Sequence, residues 1–193
     1  MEATATVPIA PAPERRRRWL PLFALLAILV VVAFGGYVTA AALSVPTGPP
    51  VDVAGVVRVS PLSGWEVIGR GANPPGVRLT RGSGNLDVFV FGPAGGDATG
   101  LLRAFVSRVL EPDARQLSVS PRTESVVLRS GSSGVRVSYV GQFGKGATPI
   151  EGEVTAVVSP SGAGVVFDGW SPEGLLDFVL GDIDAMVDSA EVR

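Results

Sequence analysis

Between Trp19 and Leu43 the chain carries no charged side chain, and Leu22 to Phe34 is apolar without a break. A membrane-crossing helix needs about 20 mostly apolar residues, each adding about 1.5 Å of rise. Residues 19–43 therefore predict one transmembrane helix, with Trp19 and Tyr37 placed as headgroup-level aromatics. Arg15, Arg16, Arg17 and Arg18 stand directly in front of the run, and no basic residue follows it until Arg58. Arginine is retained on the cytoplasmic side, so residues 1–18 are expected inside and residues 44–193 outside, with the lipid bilayer as partner of the span. Ala40-Ala41-Ala42 offers a signal-peptidase site, but the apolar run is longer than the usual core of such signals, which favours retention as an anchor. Gly36 and Ala40 form a small-xxx-small pair, a weak basis for self-association.

Beyond the span the pattern changes period. Residues 1–18 (Ala, Thr and Pro, then arginines) are expected to be a disordered tail, and residues 44–52 a Pro-rich stalk. Gly55–Ser60 reads as a short strand, a second extended piece follows Trp65, and Gly69–Gly76 is dense enough in breakers to predict a loop. Val77 and Leu79, then Leu86, Val88 and Val90, alternate with polar or aromatic residues on either side of Gly82-Ser83-Gly84. This predicts a hairpin. Leu101, Leu102, Phe105, Val106, Val109 and Leu110 form one helical stripe, with Asp97 as N-cap and Pro112 at the stop, predicting a helix over 98–111. Strands are expected near 116–120, 125–129, 135–139, 150–159 and 165–170. Ser171-Pro172-Glu173 looks like a helix start, with Leu176, Val179, Leu180, Ile183 and Val187 as the buried stripe. The sum is an α+β domain over residues 53–193, an antiparallel sheet of about seven strands with two helices.

Composition narrows the chemistry. The 193-residue chain contains no histidine and no cysteine. Zinc, haem and copper sites of the usual kind, and Ser-His-Asp or Cys-His nucleophiles, therefore cannot be built from this chain, and no cofactor or metal is expected. Formal net charge is −2. From Glu151 onward nine acids face Arg193 alone, whereas Asp52 to Lys145 holds seven acids and eleven bases. Complementary faces within one fold are the favoured explanation, and nucleic acid is not an expected partner.

The order of elements, together with Pro61-Leu62-Ser63-Gly64-Trp65, the hairpin of residues 79–90 and the acidic terminal stretch Asp182–Ser189, resembles the Mog1/PsbP-like fold. Actinobacterial envelope proteins often carry such a domain behind one span or a lipoprotein signal. The resemblance implies a binding or accessory module rather than an enzyme, and it brings no catalytic residues.

Individual candidates are few. Gly69-Arg70-Gly71-Ala72-Asn73-Pro74 starts like a dinucleotide fingerprint but ends in proline, and Gly144-Lys145-Gly146 lacks the Ser or Thr of a phosphate loop. Glu151 and Glu153 project from one face of a strand and would be the carriers of a carboxylate-dependent envelope glycan hydrolase or transferase. Ser125, Ser130, Ser132 and Ser133 have no spacing that makes a dyad with Lys145. Trp65 and Trp170, the two tryptophans beyond the span, are either core residues or, where exposed, partner-binding anchors. The expected role is a non-enzymatic, plasma-membrane-anchored extracytoplasmic binding module of the cell envelope, supporting a secretion or cell-wall complex through a protein partner. The alternatives are the glycan enzyme and a structural subunit of a membrane complex.

Overall fold

The computed structural model describes residues 48–94, 97–144 and 147–193. The expected tail, the transmembrane run Trp19–Leu43 with its arginines, the first residues of the stalk, and Lys145 all lie outside the described residues. Among the described residues no helix is long and apolar enough to cross a membrane.

The hairpin forms as the alternation requires. Strands β3 (Glu66–Ala72), β4 (Pro75–Arg81) and β5 (Gly84–Pro93) run antiparallel in sequence, and Arg81 pairs with Gly84 across the Gly82-Ser83 turn. The chain then forms α1 (Ala98–Phe105), capped by Asp97, whose carboxylate accepts from the Gly100 N–H at 2.7 Å. A π-helical turn, Val106–Leu110, and one α-helical turn, Glu111–Asp113, continue it. The widened turn explains how Leu102, Phe105 and Leu110 are all buried, because the five-residue step from Phe105 to Leu110 would drift off the stripe of a regular helix.

Strands β6 (Ala114–Val119), β7 (Glu124–Val127), β8 (Ser133–Phe143), β9 (Ile150–Val158) and β10 (Ala163–Pro172) complete an eight-stranded antiparallel sheet. Its order is β3-β4-β5-β10-β9-β8-β6, and β7 pairs with the other end of β8. Helix α2 (Asp177–Asp188) follows, then β11 (Glu191–Val192), which joins β1 (Val51–Val53) and β2 (Val57–Val59) in a small second sheet.

The central strands of the large sheet bury residues on both faces. Leu79, Leu86, Val88, Val165 and Phe167 pack in one cluster with Val179, Ile183, Met186 and Val187 of α2 and with the small sheet. Tyr139, Val154, Ala156 and Val166 form the other, with Leu102, Phe105 and Leu110. The two helices thus cover opposite faces of the sheet. Gly169 is needed where α2 comes closest, since a Cβ there would lie 2.6 Å from Ile183 Cγ2.

Three sequence expectations change. Residues 69–76 are not a loop: they form the turn end of the β3–β4 hairpin, with Gly69 opposite Arg78 and Ala72 opposite Pro75. Every side chain of β3 is exposed, so burial imposed no alternation by which the strand could be recognised. Ser171-Pro172-Glu173 does not start the last helix. Ser171 is fully buried in β10, opposite Glu151 of β9, and α2 begins only at Asp177. Val51 and Asp52, expected at the end of the stalk, pair with Val59 and Arg58.

The uneven charge along the chain resolves into contacts between its two halves. Arg81 pairs with Asp182, Arg129 with Asp188 and Arg136 with Asp184, so three acids of α2 tie the helix to basic residues outside it.

Candidate functional site

Neither sequence-predicted tryptophan is an isolated surface feature, and the two lie in different clusters. Trp65 is 5% exposed, packed with the α2-side core, and its Nε1–H donates to Asp182 Oδ2 at 3.0 Å. It is a core residue and not a docking anchor. Trp170 is half-buried on the α1 side of β10, and its Nε1–H donates to Asp87 Oδ2 at 3.0 Å.

Around Trp170 the sheet builds a polar cluster that the alternating pattern concealed. Cross-strand pairing places Arg78 of β4 opposite Asp87 of β5, and Asp87 opposite Asp168 of β10. All three point toward the α1 side. Arg78 grips Asp87 with two bonds, Nε to Oδ1 at 2.5 Å and a terminal nitrogen to Oδ2 at 2.7 Å, and its guanidinium lies 5.6 Å from the Trp170 ring centroid. The Tyr139 hydroxyl of β8 donates to Asp168 Oδ1 at 2.9 Å across the strand between them. That reach depends on Gly152 of β9, where a Cβ would sit 2.7 Å from the Tyr139 ring.

Asp87 is 4% exposed and Asp168 5%. The hydrogen bond to Asp87 raises the Arg78 pKa above its ordinary value. Burial, reinforced by the charge of Asp87, pushes the Asp168 carboxyl up from 3.8 to about 7, and Tyr139 and Arg78 offset only part of that. Burial, with the charge of Asp168, raises the Tyr139 hydroxyl as well. Because the folded-state pKa of Asp168 is raised, the folded protein keeps this proton between roughly pH 4 and 7 while the unfolded chain loses it. The group's contribution to stability therefore falls as pH rises through that window. Asp168→Asn is expected to raise Tm relative to wild type at about pH 8 and to leave it nearly unchanged near pH 4, compared by thermal melts at both values.

The cluster floors a cavity of about 340 Å³. Its apolar walls include Phe89, Phe143, Ile150 and Trp170 from the sheet side and Val109 and Leu110 from the end of the first helix, and Asp113 stands at its rim. A larger apolar groove of about 640 Å³ runs along the other flank of α1, between it and the end of β5.

Glu151 and Glu153 do share a face of β9, as their spacing requires, and both are committed there. Glu151 Oε1 accepts the Leu176 N–H at 2.9 Å, capping α2 from a neighbouring strand. Glu153 accepts from Ser138 at 3.1 Å and faces Arg136 at 3.4 Å. Removing the cap by Glu151→Ala is expected to cost about 1 kcal/mol, read from urea unfolding. Ser130 and Ser132 bond to each other at 3.4 Å. Gly69 to Pro74 lies on an edge strand and its turn, not in front of a helix. Among the described residues no group of three or more His, Cys, Asp or Glu side chains is placed to hold a metal ion.

One surface feature escaped the pattern. Phe178, in the first turn of α2, is 83% exposed, and Leu175 beside it is also exposed. Helical periodicity leaves Phe178 off the buried stripe, and that omission was the available signal.

No protein-family model matches the chain, and no curated protein matches it. By fold it is similar to the solution structure of cyanobacterial PsbP (CyanoP) from Synechocystis sp. PCC 6803, at a TM-score of 0.56 and 18% identity, covering 77% of this chain and 94% of that one. LpqN of Mycobacterium tuberculosis, described as involved in cell envelope biogenesis, aligns at a TM-score of 0.50 and 12% identity over 76% and 85% of the two chains. A variant of Mog1 aligns at 0.51 and 9% identity over 76% and 96%. The domain therefore has a Mog1/PsbP-like fold. At these identities the likeness concerns the fold alone.

Proposed function

We propose that the chain is a single-pass, membrane-anchored binding or accessory module of the bacterial cell envelope, with residues 44–193 outside the plasma membrane and no catalytic role. Trp19–Leu43 is the anchor, Arg15 to Arg18 set its orientation, and actinobacteria are the proposed source. A role near a secretion or cell-wall complex is part of this reading, and the fold likeness to LpqN, which is involved in cell envelope biogenesis, supports its placement in the envelope.

Phe178 carries this reading. An aromatic side chain 83% exposed has no folding function, and burying it against a partner recovers about 2–3 kcal/mol of transfer free energy. Leu175 extends the apolar contact, while Glu173 and Asp177 flank it with exposed negative charge. The matching surface is a protein with an apolar pocket rimmed by Lys or Arg. An anionic lipid surface would be repelled.

The test is a photoreactive phenylalanine at position 178 of the full chain in its native membrane. The expected product is one discrete adduct with an envelope protein, mapped to an apolar, basic-rimmed site and lost on charge reversal of that rim. Lipid adducts alone, or no adduct, would remove the reading.

A further inference from the structure

The cavity beside Trp170 supports an assignment that goes beyond the docking surface and does not involve Phe178. Its described charged side chains are Arg78, Asp87, Asp113 and Asp168. Arg78 and Asp87 satisfy each other through two hydrogen bonds. Asp113 is exposed at the rim, with no ion-pair partner among the described residues. Asp168 is the unusual member. It is 5% exposed, and its Oδ1 takes the Tyr139 hydroxyl, but its Oδ2 accepts no hydrogen bond among the described residues. Asp168 lines the cavity, so the oxygen that no described residue satisfies belongs to its floor.

A buried carboxylate at the floor of an apolar-walled cleft favours a charged donor, because the local dielectric is below that of bulk water. Arg78 is turned to Asp87, with its Nε and one terminal nitrogen bonded there, and it makes no hydrogen bond to Asp168. Among the described residues the unpaired charge of the cleft, from Asp113 and Asp168, is negative, and its walls are aromatic and aliphatic. We propose that this cavity binds a small organic ammonium ion, a protonated primary amine carried on an apolar body. The ammonium donates to Asp168 Oδ2, and the apolar body lies against Trp170, Phe143 and Ile150. The pocket is largely pre-formed, because Arg78 and Asp87 hold each other in place and Tyr139 holds Asp168.

Binding requires the Asp168 carboxylate. The groups facing it are Asp87 from β5, Arg78 from β4 and Tyr139 from β8, with Asp113 across the cleft. Asp87 holds its proton on, whereas Arg78 and Tyr139 ease its loss. Affinity for the ammonium is thus expected to rise between pH 5 and 8.

The test uses the full chain in detergent micelles or nanodiscs, titrated with phenethylammonium and followed by calorimetry and tryptophan fluorescence. The controls are the neutral 2-phenylethanol and the anionic 3-phenylpropionate. Saturable binding of the ammonium, at least tenfold tighter than of either control and weakening at least tenfold from pH 8 to pH 5, is expected. Asp168→Asn should abolish that preference while its Tm at pH 8 stays at or above wild type. Phe178→Ser should leave ammonium binding unchanged, which separates this site from the docking surface. The proposal is overturned by no saturation at millimolar ammonium, by equal binding of the alcohol, or by an unaltered preference in Asp168→Asn. If that variant does not fold, the pH series on wild type decides, and a flat profile overturns the assignment.

Discussion

Asp87→Ala is expected to lower the unfolding free energy by about 2–4 kcal/mol, more than most substitutions of an acidic residue. Three hydrogen bonds end on this carboxylate, two from Arg78 and one from the Trp170 indole, and it is 4% exposed. Its removal leaves an arginine without its counter-charge and an indole N–H facing an apolar wall. The loss should fall short of the 3–5 kcal/mol typical of a broken, fully buried pair, because the Arg78 side chain is 47% exposed and regains water. A second consequence runs the other way. The charge on Asp87 is one of the two causes that raise the Asp168 carboxyl, so the same substitution should bring that carboxyl down toward its ordinary range. Urea unfolding reads the first effect, and an NMR titration of the Asp168 carboxyl carbon reads the second. A stability loss below about 0.5 kcal/mol would mean that the cluster does not hold the sheet together.

Trp65→Ala should cost about 3–5 kcal/mol, the range for emptying a large aromatic site in a packed core. The ring lies among the residues that join the large sheet to α2 and the small sheet, and its indole N–H bonds to Asp182, which also pairs with Arg81. Trp65→Phe retains most of the apolar contact and loses only the hydrogen bond, an expected cost nearer 1–2 kcal/mol. Thermal melts of the two variants separate core packing from surface anchoring. A surface anchor would lose partner binding and keep its Tm, whereas Trp65 is expected to lose Tm in proportion to the volume removed.

Much of the fold was legible in the residues because burial on known faces leaves a periodic trace. Val77, Leu79, Leu86, Val88 and Val90 alternate because their side of the hairpin packs on α2, and Val179, Ile183 and Val187 repeat because α2 packs back. Asp97 could be recognised as a cap because its bond is local, three residues along the chain. Where burial was absent the trace was absent, and β3 from Gly69 onward therefore read as a loop. Where capping was not local the sequence misled. Ser171 and Pro172 have the composition of a helix start, but the N–H of Leu176 is met by Glu151, 25 residues earlier in the chain.

The candidate site was the least legible part, for the same reason. Arg78, Asp87, Tyr139 and Asp168 come from four strands, and each alone is an ordinary polar or aromatic position in an alternating segment. By itself the sequence determined the uncharged run behind four arginines, the exclusion of histidine and cysteine chemistry, the α+β class and the two apolar stripes. These follow from composition and from periods of two or 3.6 residues. Only the tertiary structure decided that Trp65 is core, that Glu151 and Glu153 are already engaged, and that Asp168 lines a cavity with one oxygen that no described residue satisfies. Those facts depend on which residues face one another across strands. Strand register sets that, and a sheet ordered β3-β4-β5-β10-β9-β8-β6 is not readable from any single segment.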